Sequence, residues 1–299
     1  MPNSPIIAVE QLTKYYGPKP GIENISFTVT RGEIFGFLGP NGAGKTTTIR
    51  LLLDLTRASS GTIHIFGQPI PKNSLWVRQK CGYLPGNFSA YAHITGAEFL
   101  RFVANMRGAS SDGQPSLLDR FGLSKKDLSQ KIKHLSHGTR QKLGIVQAFF
   151  HQPQLLILDE PTIGLDPLMQ EQFYELLREL QSDGCTIFFS SHNLAEVEKV
   201  CHRVAIIRQG QLVALETLES LKKKRYRRLQ LTLRAPVEHL QLAKAQLLNK
   251  QGLRYDFLVK GDIRTLLKSL SNLPLADFVF PEPDLEQVFM TYYRSEENE

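Results

Sequence analysis

Short apolar runs alternate with polar turns through the first third of the chain. IIAVEQLTKYY (6–16) and GIENISFTVTRGEIFGFLG (21–39) are rich in β-branched and aromatic residues, and predict several short strands with turns. GTIHIFG (61–67) predicts another strand. From about Asn87 to Phe150 the spacing lengthens. AEFLRFVANM (97–106), SLLDRFG (116–122) and TRQKLGIVQAFF (139–150) have helical spacing, and GASSDGQPS (108–116) supplies a loop between them. A mainly helical insertion over about 87–150 is expected. LLILDE (155–160) and TIFFSS (186–191) each carry an unbroken apolar run, which predicts buried parallel strands separated by the helix PLMQEQFYELLRELQ (167–181). VAIIRQGQLVALE (204–216) predicts a hairpin turning at Gln209-Gly210.

After Lys222 the pattern restarts. Strands are expected at RLQLTLRA (228–235), RYDFLVKG (254–261) and ADFVFPE (276–282). Helices are expected at HLQLAKAQLLNK (239–250), IRTLLKSLSN (263–272) and LEQVFMTYY (285–293). This predicts a small α+β module, with the boundary between Thr217 and Arg228.

One stretch carries explicit chemistry. GPNGAGKTT, Gly39 to Thr47, fills the pattern G-x-x-x-x-G-K-[ST]. Upstream lies the strand-like GEIFGFLG (32–39), and downstream the helix-like TTTIRLLLDL (46–55). Strand, glycine loop and helix are the context in which this loop binds phosphate. Gly39, Gly42 and Gly44 let the backbone turn sharply and bring N–H groups of the loop, which also holds Pro40, Asn41, Ala43 and Thr47, against an anion. The helix starting near Lys45 points its positive end at the same place. Lys45 reaches the β- and γ-phosphates of a nucleoside triphosphate, and the Thr46 hydroxyl is placed to ligate Mg²⁺. LLILDEPT then ends an apolar strand on Asp159, which suits the same Mg²⁺, and on Glu160, placed to polarise a water.

Bulk properties narrow the setting. The chain has 299 residues, with Lys+Arg 36 against Asp+Glu 29 and a formal net charge of +7. So mild a basic balance fits a solvated surface or proximity to anionic lipid headgroups, and no nucleic-acid partner is expected. KKKRYRR (222–228) is open to two readings, a solvated linker or a lipid-facing patch. Cys81, Cys185 and Cys201 are odd in number and form no C-x-x-C pair, which predicts reduced thiols and no cysteine metal site. No apolar run approaches the length of a membrane span. The start, MPNSPIIAVEQL, has no basic region before an apolar core, so no secretion leader is expected.

LSHGTRQK (135–142), between the loop and LLILDE, resembles the signature motif of the ATP-binding cassette (ABC) family, usually L-S-G-G-Q. Other stretches resemble that family in the family's order: TKYYG (13–17) an aromatic A-loop, IGLD (163–166) the D-loop, and SSHNLAEVEKVCHRVAII (190–207) the switch-histidine segment. The resemblance covers about residues 5–215.

It implies an α/β P-loop NTPase core with a mixed sheet, an antiparallel β subdomain and a helical subdomain at about 87–150. The ATPase domain would span 5–220, with a small α+β C-terminal domain at 221–299. It further implies that Tyr16 stacks on adenine (Tyr15 is the alternative), that Glu160 and His192 serve hydrolysis with Lys45, and that Asp166 lies at a dimer seam. Leu135, Ser136, His137 and Gly138 would act in trans on ATP held by a second copy. His137 replaces the usual first glycine and Thr139 the glutamine.

One position departs further. Where many relatives have a glutamine after Y-x-P, CGYLPGN places Gly86, followed by Asn87, which leaves the Mg²⁺ contact and the coupling to the membrane subunit to Asn87 or a water. PEPDLEQVFMTYY (281–293) resembles the end of ATPase subunits of ABC-2 type exporters. That implies ATP and Mg²⁺, a homodimer, a separate integral membrane permease and a peripheral place on the cytoplasmic face of the membrane. A soluble regulatory member of the same family is the second reading. A small-molecule kinase is the third, although it has no use for LSHGTRQK.

Overall fold

The computed structural model describes residues 5–108, 114–223, 227–237, 240, 242, 244–259, 263–271 and 273–281. The chain divides into two compact units, Met1–Thr217 and Leu218–Glu299.

The first unit opens with two long strands, β1 (Pro5–Tyr16) and β2 (Lys19–Thr30), then β3 (Ile34–Leu38) and α1 (Lys45–Leu52). β4 (Ser60–Ile65), β5 (Gln68–Ile70), α2 (Ser74–Gln79) and β6 (Cys81–Leu84) follow. The helical stretch holds α3 (Gly96–Arg107), α4 (Gln114–Arg120), α5 (Lys125–Ser129) and α6 (His137–Phe149). The unit closes with β7 (Leu155–Asp159), α7 (Pro167–Ser182), β8 (Thr186–Ser191), α8 (Leu194–Val200), β9 (Arg203–Arg208) and β10 (Gln211–Thr217).

Two sheets result. An antiparallel sheet runs β2-β1-β4-β5, and a six-stranded sheet runs β10-β9-β3-β8-β7-β6. In the second, β9, β3, β8, β7 and β6 are parallel and β10 is an antiparallel edge. β3, β7 and β8 are buried at every residue, as strands covered on both faces must be. The sheets meet through aromatic rings. Phe27 of β2 stacks on Phe35 of β3 with ring centroids 5.7 Å apart, and lies 6.1 Å from Phe188 of β8. Each such ring contributes about 1.5–3 kcal/mol through burial. Ile49, Leu51 and Leu52 of α1 join this core, which fixes the start of α1 against the central strands.

The helical stretch has its own core of Phe99, Leu100, Leu123, Ile132, Leu135, Leu143 and Val146. Its first helix starts at Gly96, later than Asn87, because Thr95 and Glu98 form a reciprocal capping box there. α4 already begins at Gln114, so Gln114, Pro115 and Ser116 belong to a helix and not to the expected loop. Proline is tolerated there because the first turn has no intrahelical use for its missing N–H.

The second unit contains α9 (Leu218–Lys223), β11 (Arg227–Leu233), β12 (Ala245–Gln251), β13 (Arg254–Val259), α10 (Ile263–Leu270) and β14 (Leu275–Val279). Its antiparallel sheet runs β12-β13-β11-β14, and Leu229, Leu231, Tyr255, Phe257 and Leu266 build its core. The helix expected over 239–250 is corrected here, since Ala245–Gln251 is a strand paired with β13. Leu, Ala, Lys and Gln favour a helix locally, but the backbone bonds to a neighbouring strand outweigh that preference. The segment 285–293, read as a helix, and much of KKKRYRR lie outside the described residues.

Candidate functional site

The glycine loop runs from the end of β3 into α1. Gly44 precedes the first helical residue with φ +112, and a Cβ there would stand 2.6 Å from Ile22 Cγ2 and 2.9 Å from the Gly21 carbonyl oxygen. Gly39 is equally constrained, because a Cβ would stand 2.3 Å from the Ile207 carbonyl oxygen. Only glycine lets the loop pass this close to β2 and β9.

Lys45 is buried, and its ammonium donates to the carbonyls of Gly39 (2.6 Å) and Pro40 (3.1 Å). It also stands 3.1 Å from Glu160 Oε1. That last contact is an ion pair without hydrogen-bond geometry, so Glu160 Oε1 is a buried acceptor with no hydrogen-bond partner. The Thr46 hydroxyl donates to Asp159 Oδ2 at 2.8 Å, and the Ser190 hydroxyl donates to Asp159 Oδ1 at 2.8 Å. Asp159 is therefore held from α1 and β8 at once.

Glu160 has φ +48, a left-handed conformation costly for a residue with a side chain. Its N–H donates to Ser190, to the carbonyl and the hydroxyl oxygen, both at 3.2 Å. Its Oε2 lies 2.8 Å from His192 Nδ1. A carboxylate held between an ammonium and an imidazole can orient a water and take up its proton.

A cavity of about 450 Å³ opens over the loop. Asn41, Gly42, Gly44, Lys45, Thr46, Thr47 and Glu160 line it. Gly39, Pro40 and Ala43 stay behind this lining: Gly39 and Pro40 offer carbonyls to Lys45, and buried Ala43 accepts from the Gly210 N–H at 2.9 Å. Tyr16 lines the far side, half exposed, with Pro20, Gly21 and Gln209. Tyr15 is not part of the lining. Its hydroxyl donates to Glu23 at 2.8 Å, and that bond to the carboxylate raises its pKa. Pro20, Gly21 and Gln209 escaped the sequence reading. Gln209-Gly210 was legible as a turn, but nothing local said that the turn folds back onto Ala43.

The stretch Leu135–Gly138 lies elsewhere in the chain's own fold, and none of its residues lines this cavity. Ser136 caps α6, accepting the Thr139 N–H at 3.1 Å, so the helix starts two residues earlier than its pattern suggests. His137 and Gly138 pack instead on the segment after β7. A Cβ on Gly164 would stand 2.2 Å from His137 Nδ1, and one on Gly138 would stand 2.8 Å from the Gly164 carbonyl oxygen. Asp166 caps α7 by accepting the Met169 N–H at 3.0 Å.

Gly86 approaches Asp159 directly, since a Cβ there would stand 3.1 Å from the Asp159 carbonyl oxygen. Asn87 does not line the cavity over the loop; it lines a separate one of about 250 Å³ together with Lys133, His137 and Arg140. Burial, and then the Asp159 charge, push the Tyr83 phenol up to about 12, so it stands near the site as a neutral hydroxyl. All three cysteines are free and buried, and burial raises each thiol pKa, to about 12 for Cys81 and Cys185.

A mixed sheet, a phosphate-loop strand and helix, and a carboxylate pair at the end of β7, across β8 from the loop strand, define a P-loop nucleotide-binding domain. Comparison with known proteins takes this further. Residues 22–163 match the family model described as ABC transporter. An uncharacterized ABC transporter ATP-binding protein of Nostoc is 43% identical over 67% of this chain and 61% of its own length. The linearmycin resistance ATP-binding protein LnrL of Bacillus subtilis is 36% identical over 72% of this chain and 70% of its own. The bacitracin transport ATP-binding protein BcrA of Bacillus licheniformis is 39% identical over 74% and 72%. A solved structure of the ATP-binding subunit of an ABC transporter has a TM-score of 0.68 at 34% identity, over 73% of this chain and 92% of that one.

The chain belongs to the ABC transporter family, as an ATP-binding and ATP-hydrolysing subunit. No helix among the described residues is long and apolar enough to cross a membrane.

Proposed function

We propose that this chain drives an exporter of the ABC-2 type. Two copies close on two ATP molecules, and the closure is passed to a separate integral membrane permease. The copies sit on the cytoplasmic face of the membrane, and no nucleic acid takes part. One observation carries this reading: the cavity holds the loop and Glu160 but none of Leu135–Gly138, so a second copy is needed to bring Ser136 and Gly138 to the γ-phosphate. The relatives named for linearmycin resistance and bacitracin transport support export as the direction.

In this reading Lys45 exchanges its loop carbonyls for the β- and γ-phosphates of ATP. Glu160 directs the attacking water, and His192 holds Glu160 and contacts the γ-phosphate. Thr46 and Asp159 supply adjacent hard oxygen donors, the set that Mg²⁺ takes together with waters and phosphate oxygens. When bound, the ion neutralises phosphate charge. Gly86 leaves no side chain to reach it. Asn87 lines the cavity with Lys133, His137 and Arg140 and not the one over the loop, so we assign it to coupling and not to the metal.

Tyr16, and not Tyr15, is the adenine platform. Tyr16→Ala should weaken ATP binding about three- to tenfold, the worth of one stacked ring. Tyr15→Ala should leave the affinity within about twofold, since its hydroxyl is engaged with Glu23. Calorimetric titration of both variants decides, and the reverse order would transfer the role to Tyr15.

The functional reading is tested by capturing the tagged chain from detergent-solubilised native membranes. A multi-spanning protein at stoichiometric yield, whose presence raises ATP turnover, is the expected outcome. An active ATPase recovered without any membrane partner would shift the assignment to a soluble regulatory protein.

A further inference from the structure

His192 is half exposed, and its Nδ1 meets Glu160 Oε2 at 2.8 Å. An imidazole that open to solvent is held in place only if its backbone is. Glu160 has the matching problem, since its left-handed backbone persists only when its surroundings over-determine it. Behind this pair lies a second bridge. The Thr162 hydroxyl donates to Glu196 Oε1 at 2.8 Å, and the Ser191 hydroxyl donates to Glu196 Oε2 at 2.8 Å. Both hydroxyl residues are buried, Thr162 at 4% exposure and Ser191 at 0%.

One carboxylate in the first turn of α8 thus grips the residue two beyond Glu160 and the residue just before His192. Hydroxyl bonds to a carboxylate are of the stronger, charge-assisted kind. Neighbouring ties close the frame. The Asn193 N–H donates to Ser191 Oγ at 2.9 Å, and Asn193 Oδ1 accepts the Ala195 N–H at 3.0 Å. From α6, buried Gln141 donates to the Pro161 carbonyl at 2.8 Å. The segment 160–162 and the segment 191–193 are therefore joined twice, once at the face of the cavity and once behind it.

We propose that Glu196 is a positioning residue of the ATPase reaction, holding the His192–Glu160 pair in register through Ser191 and Thr162. It does not line the cavity over the loop. The inference rests on the assignment of Glu160 and His192 to hydrolysis. An acidic residue in a first helical turn also favours the helix dipole. That alternative needs only the charge, whereas positioning needs two hydrogen-bonding atoms in place.

The full-length chain is assayed for steady-state ATP turnover and for the affinity of a non-hydrolysable ATP analogue. Glu196→Leu and Thr162→Val should each lower kcat about tenfold or more, because small misplacements of reacting groups are costly. Analogue affinity should stay within about twofold, since the loop contacts are untouched. Glu196→Gln and Thr162→Ser should retain at least about half of kcat, because a carboxamide can accept from one hydroxyl and donate to the other. Thr162→Val preserves shape and keeps the test valid should Glu196→Leu fail to fold.

Unchanged kcat in Thr162→Val would overturn the proposal. So would a parallel loss of kcat and affinity, or a Glu196→Gln variant as impaired as Glu196→Leu. Glu160→Gln and His192→Ala in the same assay separate the two levels. If both of these turn over normally, the hydrolytic assignment itself fails. If both are inactive while Thr162→Val and Glu196→Leu are active, only the positioning role fails.

Discussion

Glu160→Gln is expected to bind ATP and stop turning it over. The carboxamide keeps the shape of the side chain and the left-handed backbone, which is fixed through the N–H bonds to Ser190. It removes the basic oxygen that would take a proton from water. Loss of a positioned general base costs about 10²–10⁴ in rate. ATP affinity should stay within about threefold of the parent, because Lys45, Thr46 and the loop N–H groups remain. With binding intact and hydrolysis blocked, the closed pair of copies should accumulate. Size-exclusion chromatography with and without ATP reads this as an ATP-dependent shift to twice the mass. Parental turnover in this variant would remove Glu160 from the reaction, and loss of ATP binding would make it a binding residue instead.

Lys45→Ala is expected to abolish binding rather than turnover alone. The ammonium is buried and has three neighbours, the carbonyls of Gly39 and Pro40 and the Glu160 carboxylate. Nucleotide phosphates would replace the carbonyls with charged acceptors. Charge-assisted bonds are worth about 1.5–3 kcal/mol each, so losing two weakens ATP by at least about a hundredfold. Alanine also removes the cation paired with Glu160, which adds repulsion between that carboxylate and the triphosphate to the loss. Titration with a fluorescent ATP analogue measures the effect, and a thermal melt of the same sample shows whether the fold persists. An unchanged dissociation constant in a folded variant would refute the role of Lys45.

These two variants separate the functions that the geometry places side by side. Lys45 and Glu160 stand 3.1 Å apart, yet one is expected to govern affinity and the other rate. Their ion pair is itself informative. It leaves Glu160 Oε1 without a hydrogen bond, and a phosphate competing for Lys45 would leave Glu160 to His192.

Much of the site could be read along the chain because its parts are local. A phosphate loop is a single turn between a strand and a helix, so spacing and glycine placement specify it. The carboxylates at 159 and 160 end a strand whose apolar run announces burial. Ser136 as a helix cap and Gln209-Gly210 as a turn are likewise short-range features. The α10 helix was legible from its strongly one-sided spacing. The β12 strand was not, since its composition favours a helix and only pairing with β13 makes it extended.

What the sequence by itself determined is the kind of chemistry: a phosphate loop, two carboxylates, and the strands and helix that carry them. Those depend on neighbours a few residues apart. Tertiary structure decided which groups meet. It brought Thr46 to Asp159 across 113 positions and Ser190 to Asp159 across 31. It folded the Gln209 turn onto the loop, placed Asn87 in a separate cavity, and bonded Glu196 to Ser191 and Thr162, the residues flanking the His192–Glu160 pair. Parallel strands are the physical reason. They put distant segments side by side at the carboxyl ends of the strands, and the order β9-β3-β8-β7 that chooses those neighbours is set by packing over the whole core.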